Sequence, residues 1–150
     1  MIVTASHDGD LIRPLGLVTL YAAYAEGEID ELLRTLPAEE PLDDRKLQWP
    51  VGRKLNFALK LVRRLNSDRL VGLSAALKEA QTLFARRNAF VHSQIFSTGR
   101  ITSNRPDAPI QMVAPEDLTQ LAEQLFACKE QLSMHRSRHL RPILSSATEQ

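Results

Sequence analysis

Between Leu83 and Ser93 the chain reads Leu-Phe-Ala-Arg-Arg-Asn-Ala-Phe-Val-His-Ser, which places two guanidiniums, an amide, an imidazole and a hydroxyl within one short stretch. An arginine fork matches the oxygens of a phosphate. A histidine can take or give a proton near neutral pH. Asn88 and Ser93 can orient what the other groups act on. The stretch closes an apolar helical pattern that begins near Asp68. At about 100° per residue, Leu70, Leu73, Ala80, Phe84 and Val91 fall within about 60° of Leu77. Asn88 lands about 20° from that centre and His92 about 60°. Arg87 borders a second apolar strip at Leu83 and Phe90, whereas Arg86 points about 180° away and is expected in solvent. Polar groups at the edge of a core need partners, since unpaired burial costs roughly 1–3 kcal/mol each. They therefore read either as a satisfied network capping a helix end or as a site.

The elements that must hold these residues are helices. Leu15, Val18, Ala22, Ala25, Ile29, Leu32 and Leu36 keep a three-four spacing after Pro14, which suits a first helical turn. Glu26 falls inside that stripe and reads either as a carboxylate on its flank reaching water or as a buried partner of Arg87 or His92, while Glu28 points away. Pro37 to Trp49 reads as an acidic connector. Val51, Leu55, Ala58, Val62 and Leu65 mark a second helix ending at Asn66-Ser67, with Ser67 or Asp68 capping the third. The third helix carries an apolar strip wider than one-sided packing needs, so a further helix or a second copy of the chain must cover it. Residues 94–114 are turn-rich, with Ile95–Thr102 and Ile110–Val113 able to form short strands. Pro115-Glu116-Asp117 opens a last helix with Leu118, Leu121, Leu125, Cys128 and Leu132 on one face. Residues 1–10 and 142–150 read as loose ends. The expectation is a single all-α domain, an up-and-down bundle of about four main helices with a short hairpin or irregular insert.

Composition narrows the partners. With 150 residues, 43% apolar content and net charge +1, the chain can bury a core and shows no global pull toward nucleic acid. Charge is uneven locally: Glu26 to Asp44 holds eight acids and one arginine, and Arg45 to Arg64 holds seven bases and no acid. A basic face on the second helix follows. Cys128 stands alone on an apolar face and reads as a small buried hydrophobe. No leader pattern and no apolar run near the roughly 20 residues of a membrane span is present, so a cytoplasmic protein is expected. His135 and His139 share a helix face at metal-ligand spacing, yet no third ligand completes a pattern, and neither a metal nor a cofactor is expected. That basic helix end, with Arg136 and Arg138, is better suited to phosphates, as is Arg100.

Arg87-Asn88-x-x-x-His92-Ser93, ending the third long helix of a small helical chain, resembles the HEPN superfamily (higher eukaryotes and prokaryotes nucleotide-binding), whose signature is an Arg, often followed by a polar residue, and a His four to six positions after the Arg. The resemblance covers Leu15 to Ser93 in outline and the last helix loosely. It implies Arg87 and His92 as a catalytic pair with Asn88 beside them, and two copies of the motif facing each other in a homodimer. Glu26, from its phase on the first helix, and Ser93, next to His92, are expected in support. It also implies metal-independent cleavage of RNA, in a toxin–antitoxin or phage-defence setting with a neutralising antitoxin protein. Two features depart from the family: Gln94 stands where many toxin members carry Tyr, and residues 94–114 have no evident counterpart. The runner-up is a non-catalytic helical homodimer that binds a partner protein or a nucleotide.

Overall fold

A computed structural model describes residues 6–40, 42–91, 94–95, 100–102 and 111–148, with side chains over 11–40, 42–90 and 113–146. The order is α1 (Ser6–Thr35), α2 (Asp44–Leu47), α3 (Val51–Leu65), α4 (Val71–Val91), β1 (Gln94–Ile95), β2 (Arg100–Thr102), β3 (Gln111–Met112), α5 (Pro115–His135) and α6 (Arg141–Thr148). A 3-10 turn at Asp68–Leu70 leads into α4, and a π-helical turn at Arg136–Leu140 joins α5 to α6. The all-α bundle is as the sequence predicts. The insert is a small antiparallel sheet in the order β1-β2-β3, with Ile95 opposite Ile101 and Arg100 opposite Met112. Helix reaches into both segments expected to be loose: α1 begins at Ser6, so Pro14 lies buried within the helix rather than at its first turn, and α6 continues to Thr148.

The stripes read from the sequence form the core. Ala22, Ala25, Ile29 and Leu32 of α1, Leu55 and Ala58 of α3, Leu73, Leu77, Ala80 and Phe84 of α4, and Leu118, Leu121, Leu125 and Leu132 of α5 are all buried. Asn66 ends α3 in the left-handed region (φ 47°, ψ 50°), a conformation an asparagine tolerates better than most side chains. The Ser67 hydroxyl then accepts the Arg69 N–H at 3.3 Å, as a capping residue should. At the start of α5 the Asp117 carboxylate accepts the Ala114 N–H at 3.1 Å. Among the described residues, no helix is long and apolar enough to cross a membrane.

Contacts along the helices fix their directions. Tyr21 meets Phe126 with ring centroids 5.1 Å apart, and further along Glu28 meets Arg136 at 3.3 Å, so α1 and α5 run in the same sense. Arg86 on α4 binds Gln124 on α5, while Cys128 reaches the earlier Ala76, so these two are antiparallel. Asn56 of α3 bonds Gln81 of α4, and Arg63 shares a hollow with the earlier Ser74 and Lys78, so α3 opposes α4 as well. Direction thus alternates from α3 to α5, but α1 points the same way as α3. The stretch from Leu36 to Pro50, with α2 inside it, is long enough to carry the chain back along a 15-residue helix and restart it. The wide strip on α4 finds its second cover within the chain. Leu83 is buried and Phe90 packs against the core, with α3 on one flank and α5 on the other.

Candidate functional site

Arg87 and Asn88 occupy the last turns of α4, and both are half-buried. The Arg87 guanidinium carbon stands 5.4 Å from the centroid of the buried Phe84 ring, one turn earlier on the same helix. That contact lets the quadrupole of the ring face a cation. The Arg87 Nε is buried with no hydrogen-bond partner among the described residues, as is the Nε of Arg136. Such a donor costs free energy unless a bound group later accepts from it. Among the described residues, Asn88 makes no side-chain hydrogen bond. His92 and Ser93 follow α4 directly and lie outside the described residues, as does the Arg100 side chain.

The neighbouring Arg86 departs from its expected place in solvent. Its Nη1 donates to Gln124 Oε1 at 2.9 Å across the α4–α5 seam, and the side chain is half-buried. The reason is packing on two sides: the face opposite the main stripe of α4 still borders α5. Arg86 therefore has a structural partner, whereas the Nε of Arg87 has none.

Glu26 is on the inner flank of α1, as its phase requires, but its ion pair is with Lys54 of α3 at 3.3 Å rather than with Arg87. Lys54 also stands 2.9 Å from Asp30 Oδ1, a charge contact lacking hydrogen-bond alignment. The lysine is 3% exposed and the two carboxylates are half-buried. Sequence reasoning missed it, although the signal was present. Lys54 lies three residues after Val51 and four before Ala58, inside the α3 stripe.

Of the arginines suited to phosphates, Arg138 is exposed and Arg136 is not. Arg136 is held by Glu28 at 3.3 Å, with side chains 12% and 18% exposed, which occupies it structurally. Glu28 therefore faces a partner after all, because α5 runs alongside α1 where the helical wheel of α1 alone showed solvent.

His135 precedes the π-helical turn and His139 lies within it, with their Nδ1 atoms 2.9 Å apart, so one of them carries a shared proton. Burial first, and the His139 ring second, hold His135 below the usual histidine pKa. The neutral form is favoured in the folded state, and the unfolded state binds more protons below about pH 6.5. The contribution of His135 to stability is full above that pH and falls as pH drops toward its folded-state value. Thermal melts from neutral to acidic pH should show a shallower decline for His135→Gln than for wild type. No group of three or more metal-binding side chains exists among the described residues.

Gly72, in the first turn of α4, lets the His135 ring approach. A Cβ there would stand 2.5 Å from His135 Cε1. Alanine normally gains up to about 1 kcal/mol over glycine within a helix, while forced repacking costs about 1–3 kcal/mol. The clash is the larger effect. Gly72→Ala should lower stability in urea titrations, and His135→Ala should remove most of that loss in the double variant.

No family model matches this chain, and no curated protein or solved structure matches it either.

Proposed function

We propose that the chain is a metal-independent endoribonuclease of the HEPN type that works as a homodimer, with RNA as its substrate. The observation that carries this reading is the buried Arg87 Nε without an acceptor, beside Asn88 at the end of α4 and five residues before His92. In the reaction the 2′-hydroxyl of RNA attacks the adjacent phosphorus and the bond to the 5′-oxygen breaks. A 2′,3′-cyclic phosphate and a 5′-hydroxyl result. One proton must leave the attacking hydroxyl and another must reach the departing oxygen. Two His92 side chains, one from each copy, divide these roles, and the Arg87 forks hold the nonbridging phosphate oxygens as negative charge builds. The two copies meet at the C-terminal end of α4, where Ala89 is exposed and Phe90 is half-buried. A toxin held in check by an antitoxin, or a phage-defence nuclease, is the setting this chemistry suits.

The deciding experiment incubates purified wild type and the Arg87→Ala, His92→Ala double variant with RNA in the presence of a chelator. Degradation by wild type alone supports the proposal. Equal inactivity of both, with a dimer by light scattering, points to the non-catalytic binding module. A monomer at micromolar concentration removes the composite site.

A further inference from the structure

α3 carries five bases and no acid. Their surroundings differ. Lys54 is buried and neutralised by Glu26 and Asp30 on α1. Arg53, Lys60, Arg63 and Arg64 are exposed, and at about 100° per residue they fall with Asn56 inside an arc of about 100°. Arg53 is pinned over the Trp49 ring at 3.9 Å, which limits the freedom of its fork. Arg64 makes a long surface contact with Glu39 at 3.7 Å, a weak one at such exposure. Lys60 and Arg63 make no ion pair among the described residues, and neither does Lys78 of α4.

The strip extends onto α4. Arg63 and Lys78 line a hollow of about 620 Å³ together with Ser67, Ser74 and the single acid Asp68. The Asn56–Gln81 bond at 2.6 Å then ties the two helices beside it. Because α3 and α4 are antiparallel with equal rise, a step of three residues back from Asn56 to Arg53 matches three forward from Gln81 to Phe84. Arg53 is thus level with the turn of α4 just before Arg87 and Asn88. From Arg53 to Arg63 the strip runs about 15 Å. Its near end is level with the turn before the motif and its far end is the hollow.

We infer that this strip holds the phosphate backbone of single-stranded RNA and leads it toward Arg87 and Asn88. The inference rests on the RNA-cleaving reading above and adds where the substrate lies. Glu39, Glu40 and Asp43 of the connector share hollows with Arg53, Lys60 and Arg64 on one side of the strip, which leaves Arg63 and Lys78 as the cations farthest from acids other than Asp68. Flexible cations that follow one line fit a regularly charged backbone and read no sequence. A salt-dependent affinity is the signature of such contacts, because each neutralised phosphate releases counterions.

The test measures binding of a labelled single-stranded RNA, long enough to span strip and motif, by fluorescence anisotropy between roughly 50 and 200 mM salt. A His92→Ala background keeps the probe intact. Lys60→Gln, Arg63→Gln and Lys78→Gln combined should lower the salt slope by about 2 and weaken low-salt binding roughly tenfold or more. Lys129→Gln, a charge held over the Phe126 ring on α5, should leave both unchanged. Circular dichroism melts check that the triple variant is folded. An unchanged slope and affinity in the folded triple variant overturns the inference, even if wild type cleaves RNA and His92→Ala does not. A lost slope with no cleavage by wild type supports the strip and removes the nuclease reading instead. Equal competition by poly-glutamate also overturns it, since the occupant would then be an acidic protein.

Discussion

Arg87→Ala should reduce RNA cleavage by on the order of 10²–10³-fold, the usual result of removing a preformed donor to a developing oxyanion. His92→Ala should cost on the order of 10²–10⁴-fold, the range for a proton-transfer group. Arg87→Lys should rescue little, because a lysine cannot reproduce the planar fork. Arg86→Ala is the internal control. It loses a single half-buried hydrogen bond to Gln124, worth about 0.5–1.5 kcal/mol of stability, and should keep its activity. Single-turnover cleavage with each purified variant, beside a melt, separates the two arginines. Equal loss from Arg86→Ala and Arg87→Ala would rule out the assignment of roles at this helix end.

Lys54→Ala is expected to be the most destabilising single change among the charged residues. Removing one partner of a buried ion pair costs roughly 3–5 kcal/mol, and here two carboxylates lose the same cation. Glu26 and Asp30 still reach water in part, which places the expectation near the lower end of that range. Glu26→Gln alone should cost less, because Asp30 keeps its contact with the ammonium. The diagnostic variant is Lys54→Met with Glu26→Gln and Asp30→Asn, which removes every charge and keeps the packing stem. It should recover most of the loss, since apolar or neutral replacement of a whole buried cluster is often nearly neutral. Urea unfolding of the three variants beside wild type checks this order. A triple variant no more stable than Lys54→Ala would mean that the charged cluster itself contributes net stability, since methionine keeps the packing stem.

The periodic parts of the chain were legible from residue spacing alone. Leu118, Leu121, Leu125, Cys128 and Leu132 predicted the buried face of α5, and Ser67 predicted the cap before α4. Spacing within one helix cannot say which helix lies beside it. The Glu28–Arg136 pair depends on α1 and α5 running in the same sense, which nothing in either segment encodes. The Arg86–Gln124 bond escaped for a related reason, because α4 is covered on two flanks and its apparent solvent face was not free. Lys54 is a different miss. A cation within the α3 stripe should have been matched to the acids of α1 before Arg87 was. Of the candidate site, Arg87 and Asn88 stand on the last turns of α4, and His92 and Ser93 lie outside the described residues.

Cys128 lies between α5 and α4 with its sulfur 4.0 Å from the Ala76 carbonyl oxygen, and burial, aided by the charge of Glu79, pushes its thiol up to about 11. Thiolate is the reactive form, so at neutral pH the closed bundle offers an alkylating reagent almost nothing to attack. The lone thiol is therefore a clock. It reacts only when α5 lifts away from α4, and its labelling rate under native conditions reports how often that seam opens. Since the Arg86–Gln124 bond crosses the same seam further along, the rate in Arg86→Ala reads how firmly α5 supports the helix end that carries Arg87.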